Sequence, residues 1–248
     1  MSDVRIVPLC VGTAQRKWSG LMMGADPEWI DITFTMFYVR ADDRHVLVDT
    51  GVPAAEETAE HHHPMARSVE QDPVAALDRI GVGAEEIDVV VNSHLHWDHC
   101  ANNHLFPNAT VYAQRSELQY AIAPLPLHRH AYDEVEVEHG RCRSLPAFLR
   151  AKLTLVEGDV DLGPDLRLLH TPGHTPGSQS VLVTGKETYL LPGDNVPLHA
   201  NLDGGRFTPN ALHVDLESYY ASIRRSTAVA DVVLPGHDTR VLDHGEYR

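Results

Sequence analysis

An apolar run that ends in a burst of histidines constrains this chain more than any other stretch. Residues 89–91 are three consecutive valines, a β-branched run typical of a buried strand. Four side chains with metal-binding atoms follow at once: His94, His96, Asp98 and His99. In an extended segment alternate residues point the same way, so we expect His94, His96 and Asp98 to share one side. His99 would point elsewhere, which would let one segment serve two adjacent metal ions.

The residue types in this block indicate a metal site. Imidazole suits Zn, Cu, Fe and Ni, whereas a carboxylate serves a harder and more water-rich position. The alternative is a solvated loop that happens to be rich in histidine. Four candidate ligands at His-x-His-x-Asp-His spacing, directly after a strand, favour metal binding over that alternative. We therefore expect His94 and His96 to bind one ion, and Asp98 and His99 to bind a second.

The same block resembles the signature of the metallo-β-lactamase superfamily, in which three later loops complete the site. Loops of that kind contain His174 in HTPGHTPGS, Asp194 in LLPGDN and His237 in LPGHD. Each of them follows an apolar run and lies beside Gly or Pro. The resemblance implies an α/β fold of the αββα type, with two β-sheets packed face to face between helical layers and the site at one edge.

The resemblance also implies a ligand set for two divalent metal ions, zinc first, with Mn, Co or Fe as alternatives. The first ion would be held by His94, His96 and His174, and the second by Asp98, His99 and His237. Asp194 is the expected bridge, since a carboxylate can bind one metal with each oxygen. Asp98 and Asp194 would be the catalytic residues, with Asp98 carrying a proton to the leaving group. Asp49 matches a residue that orients a ligand imidazole by accepting its other N–H.

Within the superfamily the chain is most similar to the N-acyl homoserine lactone lactonases. The likeness covers most of the chain, including the segments Phe106–Ala109, Gln114–Glu117, His170–His174 and Gly236–Asp238. One position departs from the family pattern: those lactonases usually carry a Tyr three residues after the bridging Asp, where this chain has Pro197. We expect another group to take the role of the missing hydroxyl, with three open candidates: His199, Asn195 and Tyr132.

The resemblance implies an enzyme that acts on a small-molecule substrate. The leading hypothesis is a lactonase, in which a hydroxide held between two metals opens a cyclic ester. Hydrolysis of a linear ester, thioester, amide or β-lactam stays open as an alternative. A dioxygenase with one iron, held by His94, His96 and His174, is the alternative from another class. The presence of Asp98, His99 and His237 argues against that single-metal design.

Composition and charge limit the partners and the location. The formal net charge of −15 argues against a nucleic-acid partner, because phosphate binding requires a basic surface. No apolar run approaches the ~18 residues of a membrane span, and the N-terminus lacks signal-peptide features, so we expect a cytoplasmic protein without membrane contact. The 3 cysteines are too few and too scattered for a disulfide framework.

Alternating strand and helix signals without a linker predict one domain over residues 1–248, with an inserted loop at about 124–150. Asp72 and Pro73 mark the start of a helix. An apolar N-terminal patch could pack in the core, line a substrate pocket or form a homodimer contact; it comprises Trp18, Met22, Met23 and Trp29. Seven further histidines are interpreted as exposed, although the tract could lie near the mouth of the site as part of a lid: the tract His61–His63, and His104, His128, His130 and His139.

Overall fold

Two β-sheets form the centre of the fold. The computed structural model describes residues 4–56, 58, 62–133, 137–138, 141–142 and 146–248. Across the first sheet the strands are β1 (Arg5–Lys17), β2 (Trp29–Ala41), β3 (Arg44–Val48), β4 (Val89–Val91), β5 (Thr110–Gln114) and β8 (Leu153–Val156). Across the second they are β13 (Val232–Val233), β12 (Thr188–Leu191), β11 (Gln179–Thr184), β10 (Leu166–His170) and β9 (Val160–Asp161). A short separate pair consists of β6 (Val137–Glu138) and β7 (Arg141–Cys142).

Helices lie outside the sheets. They are α1 (Trp18–Leu21), α2 (Pro73–Asp78), α3 (Trp97–Cys100), α4 (Arg115–Ile122) and α5 (Leu216–Thr227). Short 3₁₀ turns occupy Val69–Gln71, Ala84–Glu86, Asn103–Leu105, Pro126–Ala131, Ala147–Leu149, Gly193–Asn195, His199–Gly205 and Thr239–Leu242. The Asp72 carboxylate caps α2 by accepting the N–H groups of Val74 and Ala75, as the sequence predicts. None of the helices in the described ranges is long and apolar enough to cross a bilayer.

Strand alternation divides the side chains of the first sheet between two cores. Val46 and Val48 belong to the core between the sheets, together with Leu168 of β10. Leu47 points to the opposite face and joins an outer core that contains Leu77 of α2. Because both faces are covered, the last three residues of β3 and all three of β4 are buried and apolar. The αββα layering implied by the resemblance is confirmed.

The carboxyl ends of strands from both sheets meet at one edge. The loop after β4 is fixed there by Gln179 at the start of β11. The Gln179 backbone N–H donates to the Ser93 carbonyl over 2.8 Å, and its side-chain amide donates to the Asn92 carbonyl over 2.8 Å. The metal-ligand candidates that follow strands of the two sheets are thereby brought to the same place.

Several elements differ from the sequence expectations. The polar turn at residues 42–44, between two apolar runs, predicts a hairpin; β2 and β3 form it, and Asp42 in the turn has a positive φ of 54°. The apolar run at residues 5–11 predicts a first strand of that length, but β1 continues to Lys17 after an irregularity between Cys10 and Thr13. Strands β8 and β9 are short and partly exposed, with 4 and 2 residues, and no element is predicted for them from the sequence. The single domain and the inserted loop stay predictions.

Candidate metal centre

The histidine-rich block bends directly after β4. Helix α3 begins at Trp97, so Asp98 and His99 lie on a helical turn and not in an extended segment. The expectation that Asp98 shares one side with His94 and His96 is therefore wrong, because the turn carries Asp98 toward His99 instead. The expected division of the block into two pairs is found all the same.

The first donor group lies between the two sheets and is buried. It consists of His94, His96, His174 and Asp194, whose candidate ligand atoms all lie within 4.8 Å of one another. The Nδ1 atom of His96 is 2.9 Å from Nε2 of His94 and 3.2 Å from Nε2 of His174. Three imidazole nitrogens therefore converge on one small space.

The second donor group adjoins the first. It consists of Asp98, His99 and His237, again with ligand atoms within 4.8 Å of one another. Oδ1 of Asp98 lies 3.8 Å from Nε2 of His99, and Oδ2 of Asp98 lies 3.7 Å from Nε2 of His237. Asp98 is the partly exposed member of the group, so it faces the opening of the cleft.

Asp194 lies between the two groups. Its Oδ2 atom is 3.6 Å from Nε2 of His174, and its Oδ1 atom is 2.9 Å from Nε2 of His237 and 3.3 Å from Nε2 of His99. The preceding Gly193 has a φ of 55°, and a Cβ there would lie 2.6 Å from the Ser93 side chain. Only glycine fits this approach, which explains why the carboxylate follows a Pro-Gly pair.

Two buried atoms at the centre of the site, His99 Nε2 and Asp194 Oδ1, lie 3.3 Å apart but form no hydrogen bond of acceptable geometry in the described part of the chain. A buried polar atom left unpaired costs about 1–3 kcal/mol. Both atoms belong to the expected ligand set, and both face the space between the donor groups. Imidazole nitrogens with carboxylate oxygens are a donor set that zinc and related divalent ions accept. The residues present therefore fit a pair of such ions.

The outer nitrogens of the imidazoles are fixed by further contacts. Nδ1 of His174 lies 2.7 Å from the Leu212 carbonyl, and Nδ1 of His237 lies 2.9 Å from the Thr33 carbonyl. Each carbonyl accepts the proton on Nδ1, which leaves Nε2 free to face the cleft. Contacts of this kind set the tautomer and the orientation of metal-binding histidines.

Asp49 has the same role for His99. Its Oδ2 atom is 2.7 Å from Nδ1 of His99, and it also accepts the Ser93 hydroxyl over 2.8 Å. Its Oδ1 atom accepts the Ser93 backbone N–H over 2.7 Å. Asp49 has a φ of 62°, a conformation that is uncommon outside glycine and concentrates at functional sites. The contact expected from the resemblance is present.

Glu117 joins the loops of the first donor group, and sequence reasoning did not assign it a role. Its buried carboxyl group accepts the Leu95 N–H over 3.0 Å, between His94 and His96. It also accepts the Thr175 hydroxyl over 2.6 Å, directly after His174. The signal in the sequence was the Gln114–Glu117 segment, which lies at the start of α4.

Burial and neighbouring charges divide the imidazoles into two classes. Burial lowers the pKa of His94, His96 and His174, so these side chains are neutral, the form that binds metal. Burial also acts to lower the pKa of His99 and His237, but the nearby carboxylates outweigh it and raise both pKa values. The charges of His237 and then of His99 hold the pKa of Asp194 low despite burial. Because the pKa values of His99 and His237 are raised, protons compete with a metal ion for the second group.

A family model described as the metallo-beta-lactamase superfamily matches residues 34–237. The chain belongs to this superfamily. It is 31% identical over 198 residues to the N-acyl homoserine lactonase AttM of Azorhizobium caulinodans, a match that covers 74% of this chain and 72% of that protein. It is 30% identical over 165 residues to an N-acyl homoserine lactonase of a Bacillus species, but that match spans 63% of this chain and only 60% of the relative.

Among solved structures, a variant of B. thuringiensis AiiA with N-decanoyl-L-homoserine bound at its active site has a TM-score of 0.77 and 25% identity to this chain. The match covers 97% of this chain and 95% of that structure. The resemblance to the lactonases is thus confirmed both in sequence and in fold.

A larger cavity adjoins the cleft that holds the donor groups. This outer cavity has a volume of about 960 Å³ and an apolar lining that includes Leu21, Trp29 and Ile32. The inner cleft, lined by the donor side chains, shares Leu21, Ile32 and Leu212 with it. Trp29 of the predicted N-terminal patch is 63% exposed and lines this cavity.

The three candidates for the missing Tyr hydroxyl are engaged elsewhere. The Tyr132 hydroxyl donates to Glu117 over 2.9 Å, although its ring packs against His96. The Asn195 amide donates to the Thr171 carbonyl over 2.7 Å. Nδ1 of His199 lies 2.9 Å from the Asp238 carboxylate. None of the three is among the residues that line the inner cleft.

Two predictions of exposed histidines were wrong. The His62 side chain is 6% exposed and stacks on Trp97 with ring centroids 4.6 Å apart. His128 is buried beside the Tyr120 hydroxyl. His104 and His130 are exposed as expected, while His61 and His139 lie outside the described residues.

Proposed function

We propose that this protein is a dinuclear metal-dependent hydrolase that opens lactones. The observation that supports a two-ion site most strongly is the position of Asp194. One of its oxygens faces His174 of the first donor group, and the other faces His99 and His237 of the second. The lactonase activity named for the relatives supports the choice of substrate class.

When bound, two divalent ions would lower the pKa of a water molecule to about 7 and polarise a carbonyl oxygen. The neutral imidazoles of the first donor group would hold one ion, and Asp49 would keep His99 oriented toward the other. Asp98, at the mouth of the cleft, would transfer a proton to the oxygen that leaves the carbonyl carbon. A lactone suits this arrangement because its leaving oxygen stays tethered beside the site. The apolar cavity beside the cleft would hold the remainder of the substrate.

A panel of substrates tests this proposal. Proton release is followed from γ-, δ- and aromatic lactones beside linear esters, a thioester, an amide and a β-lactam. The same panel with the Asp194→Asn protein, purified identically, serves as the control for contaminating esterases. We expect the highest kcat/KM with a lactone.

If a linear ester, an amide or a β-lactam has a kcat/KM orders of magnitude above that of every lactone, the lactonase proposal fails. The broader proposal of a metallohydrolase would survive that result. If protein with full metal content turns over none of these compounds, the broader metallohydrolase proposal fails as well.

A further inference from the structure

Arg16 contributes a cation where the inner cleft opens into the outer cavity. It lies near the end of β1, is partly buried, and lines both spaces. In the part of the chain that the structure describes, it makes no hydrogen bond or ion pair. A guanidinium offers five N–H donors and cannot lose its charge in a protein, so a partly buried one requires a partner.

The metal-ligand carboxylates do not fill that need once metals are bound. Burial lowers the pKa of Arg16, and the charges of Asp98 and Asp194 raise it, so these are the groups that face it. Both carboxylates belong to the expected ligand set, where two divalent cations outweigh their charge. In the loaded enzyme Arg16 would therefore face a cationic site without a counter-ion.

Of the Arg, Lys and Asp side chains in the described ranges that line the outer cavity, Arg16 alone also lines the cleft, and the exposed His130 lines both spaces as well. Lys17 lies over the Trp29 ring, 5.8 Å from the centroid, and does not line the cleft. Asp31 accepts a hydrogen bond from Gln15 over 3.1 Å and does not line it either. His63 does, but burial, and after it the charge of Arg16, lowers the pKa of His63 to about 4, so it is neutral at pH 7.

The cavity on the outer side of Arg16 is apolar. Its wall includes Leu21, Ile32, Met65 and Leu212, and its volume is about 960 Å³. A molecule that fills this space therefore meets an apolar wall at one end and, next to the metal ligands, a single unpaired guanidinium. This arrangement distinguishes an acidic amphipathic substrate from a neutral one, because the planar guanidinium binds a carboxylate through two parallel hydrogen bonds.

We propose that Arg16 binds a carboxylate on the substrate, so that the preferred lactone carries an acidic group close to its ring and an apolar body in the outer cavity. This substrate class rests on the proposed lactonase function. Under this proposal Arg16 determines substrate specificity, and the preferred lactone differs from the acyl homoserine lactones for which the relatives are named.

The experiment compares a γ-lactone that has a carboxylate on its ring with the matching carboxamide, which has nearly the same shape and no charge. The wild-type kcat/KM should favour the carboxylate by at least about tenfold. In Arg16→Met the ratio should fall to about one through a higher KM, while Arg16→Lys should retain part of it. Lys17→Met is the matched control, because it removes a neighbouring cation that does not line the cleft, and its ratio should stay at the wild-type value.

A binding measurement accompanies the kinetics. Calorimetry on zinc-loaded protein uses a cyclopentanone with the same carboxylate, which has no bond to hydrolyse, and its carboxamide. Arg16→Met should bind the carboxylate about tenfold more weakly than wild type and Lys17→Met do. Zinc content is measured in each sample, and Arg16→Gln is the second neutral variant in case Arg16→Met does not fold.

The outcomes separate this proposal from the proposed function. Suppose that wild type opens uncharged lactones but shows no preference for the carboxylate, or that zinc-loaded Arg16→Met or Arg16→Gln keeps the preference. Either result overturns the role of Arg16 and leaves the lactonase proposal standing. If wild type opens no lactone, the lactonase fails, and the calorimetry still decides whether Arg16 binds a carboxylate: equal affinities in wild type and the neutral variant overturn it.

Discussion

The inner cleft and the outer cavity are built in different ways. The cleft lies where strands of both sheets end, and its imidazoles are fixed on their far sides by Asp49 and by backbone carbonyls. The cavity is lined by the end of β1, the segment around His63 and the region of His130, and many of its lining side chains are apolar. The chemistry is therefore tied to the packed sheets, whereas the walls that select a substrate can change without disturbing the donors.

The largest effect is expected from Asp194→Asn in the cleft. The amide keeps the size of the side chain but loses the charge that balances two dications. We expect loss of at least half of the bound metal and a fall in kcat/KM of about 100-fold or more, with the fold retained. Elemental analysis measures the metal content, kinetics measure kcat/KM, and circular dichroism checks the fold. Asp203→Asn, at an exposed position, is the control, and wild-type turnover in folded Asp194→Asn would show that the bridge is elsewhere.

A smaller effect is expected from Glu117→Gln, one layer behind the donors. The carboxyl oxygens accept from Leu95, Tyr132, Thr175 and Gly177, and an amide NH₂ would face some of these donors. We expect a loss of about 2–3 kcal/mol in the free energy of unfolding and weaker metal binding. Denaturation measures the free energy of unfolding, and competition with a chelator measures metal affinity.

Glu157→Gln is the matched control for that variant. Glu157 forms an exposed ion pair with Arg115 over 2.6 Å, and such pairs contribute about 0–1 kcal/mol. Should the two variants lose the same small amount of stability and bind metal equally well, Glu117 would have no special role in supporting the cleft.

The cleft was largely predictable from sequence because its signals are local. The spacing of His94, His96 and His99 after a valine run needs no knowledge of distant contacts, and Pro-Gly pairs mark the later loops. The error over Asp98 arose because a single helical turn has too few residues to produce a recognisable period. Glu117 was missed for another reason: its four hydrogen bonds reach segments up to 60 residues away.

The outer cavity was much less predictable. Arg16 reaches the cleft because β1 continues beyond its irregularity and pairs with β2 as far as Trp29, which local polarity did not indicate. His62 was interpreted as exposed because it lies in a polar tract, yet its ring stacks on Trp97. Contacts between segments so far apart in sequence leave no local pattern to read.

The smallest effect is expected from His62→Ala in the cavity wall. The change removes the ring stacked on Trp97 and the contact with Asp133 at 3.2 Å. We expect a stability loss of about 1 kcal/mol, unchanged metal content and a change in KM of a few-fold. His104→Ala, an exposed histidine, should leave all three unchanged. Loss of metal from His62→Ala would contradict the independence of the cavity wall from the cleft.

The metal content of the wild-type protein tests the central claim most directly. The protein is purified without chelator, and metal per chain is measured by elemental analysis together with hydrolytic activity before and after chelation. Two donor groups that meet at Asp194 predict about two equivalents of Zn, Mn, Co or Fe, with activity lost on removal and restored on return. A reproducible value near zero in active protein, or full activity with one equivalent, would contradict a dinuclear centre.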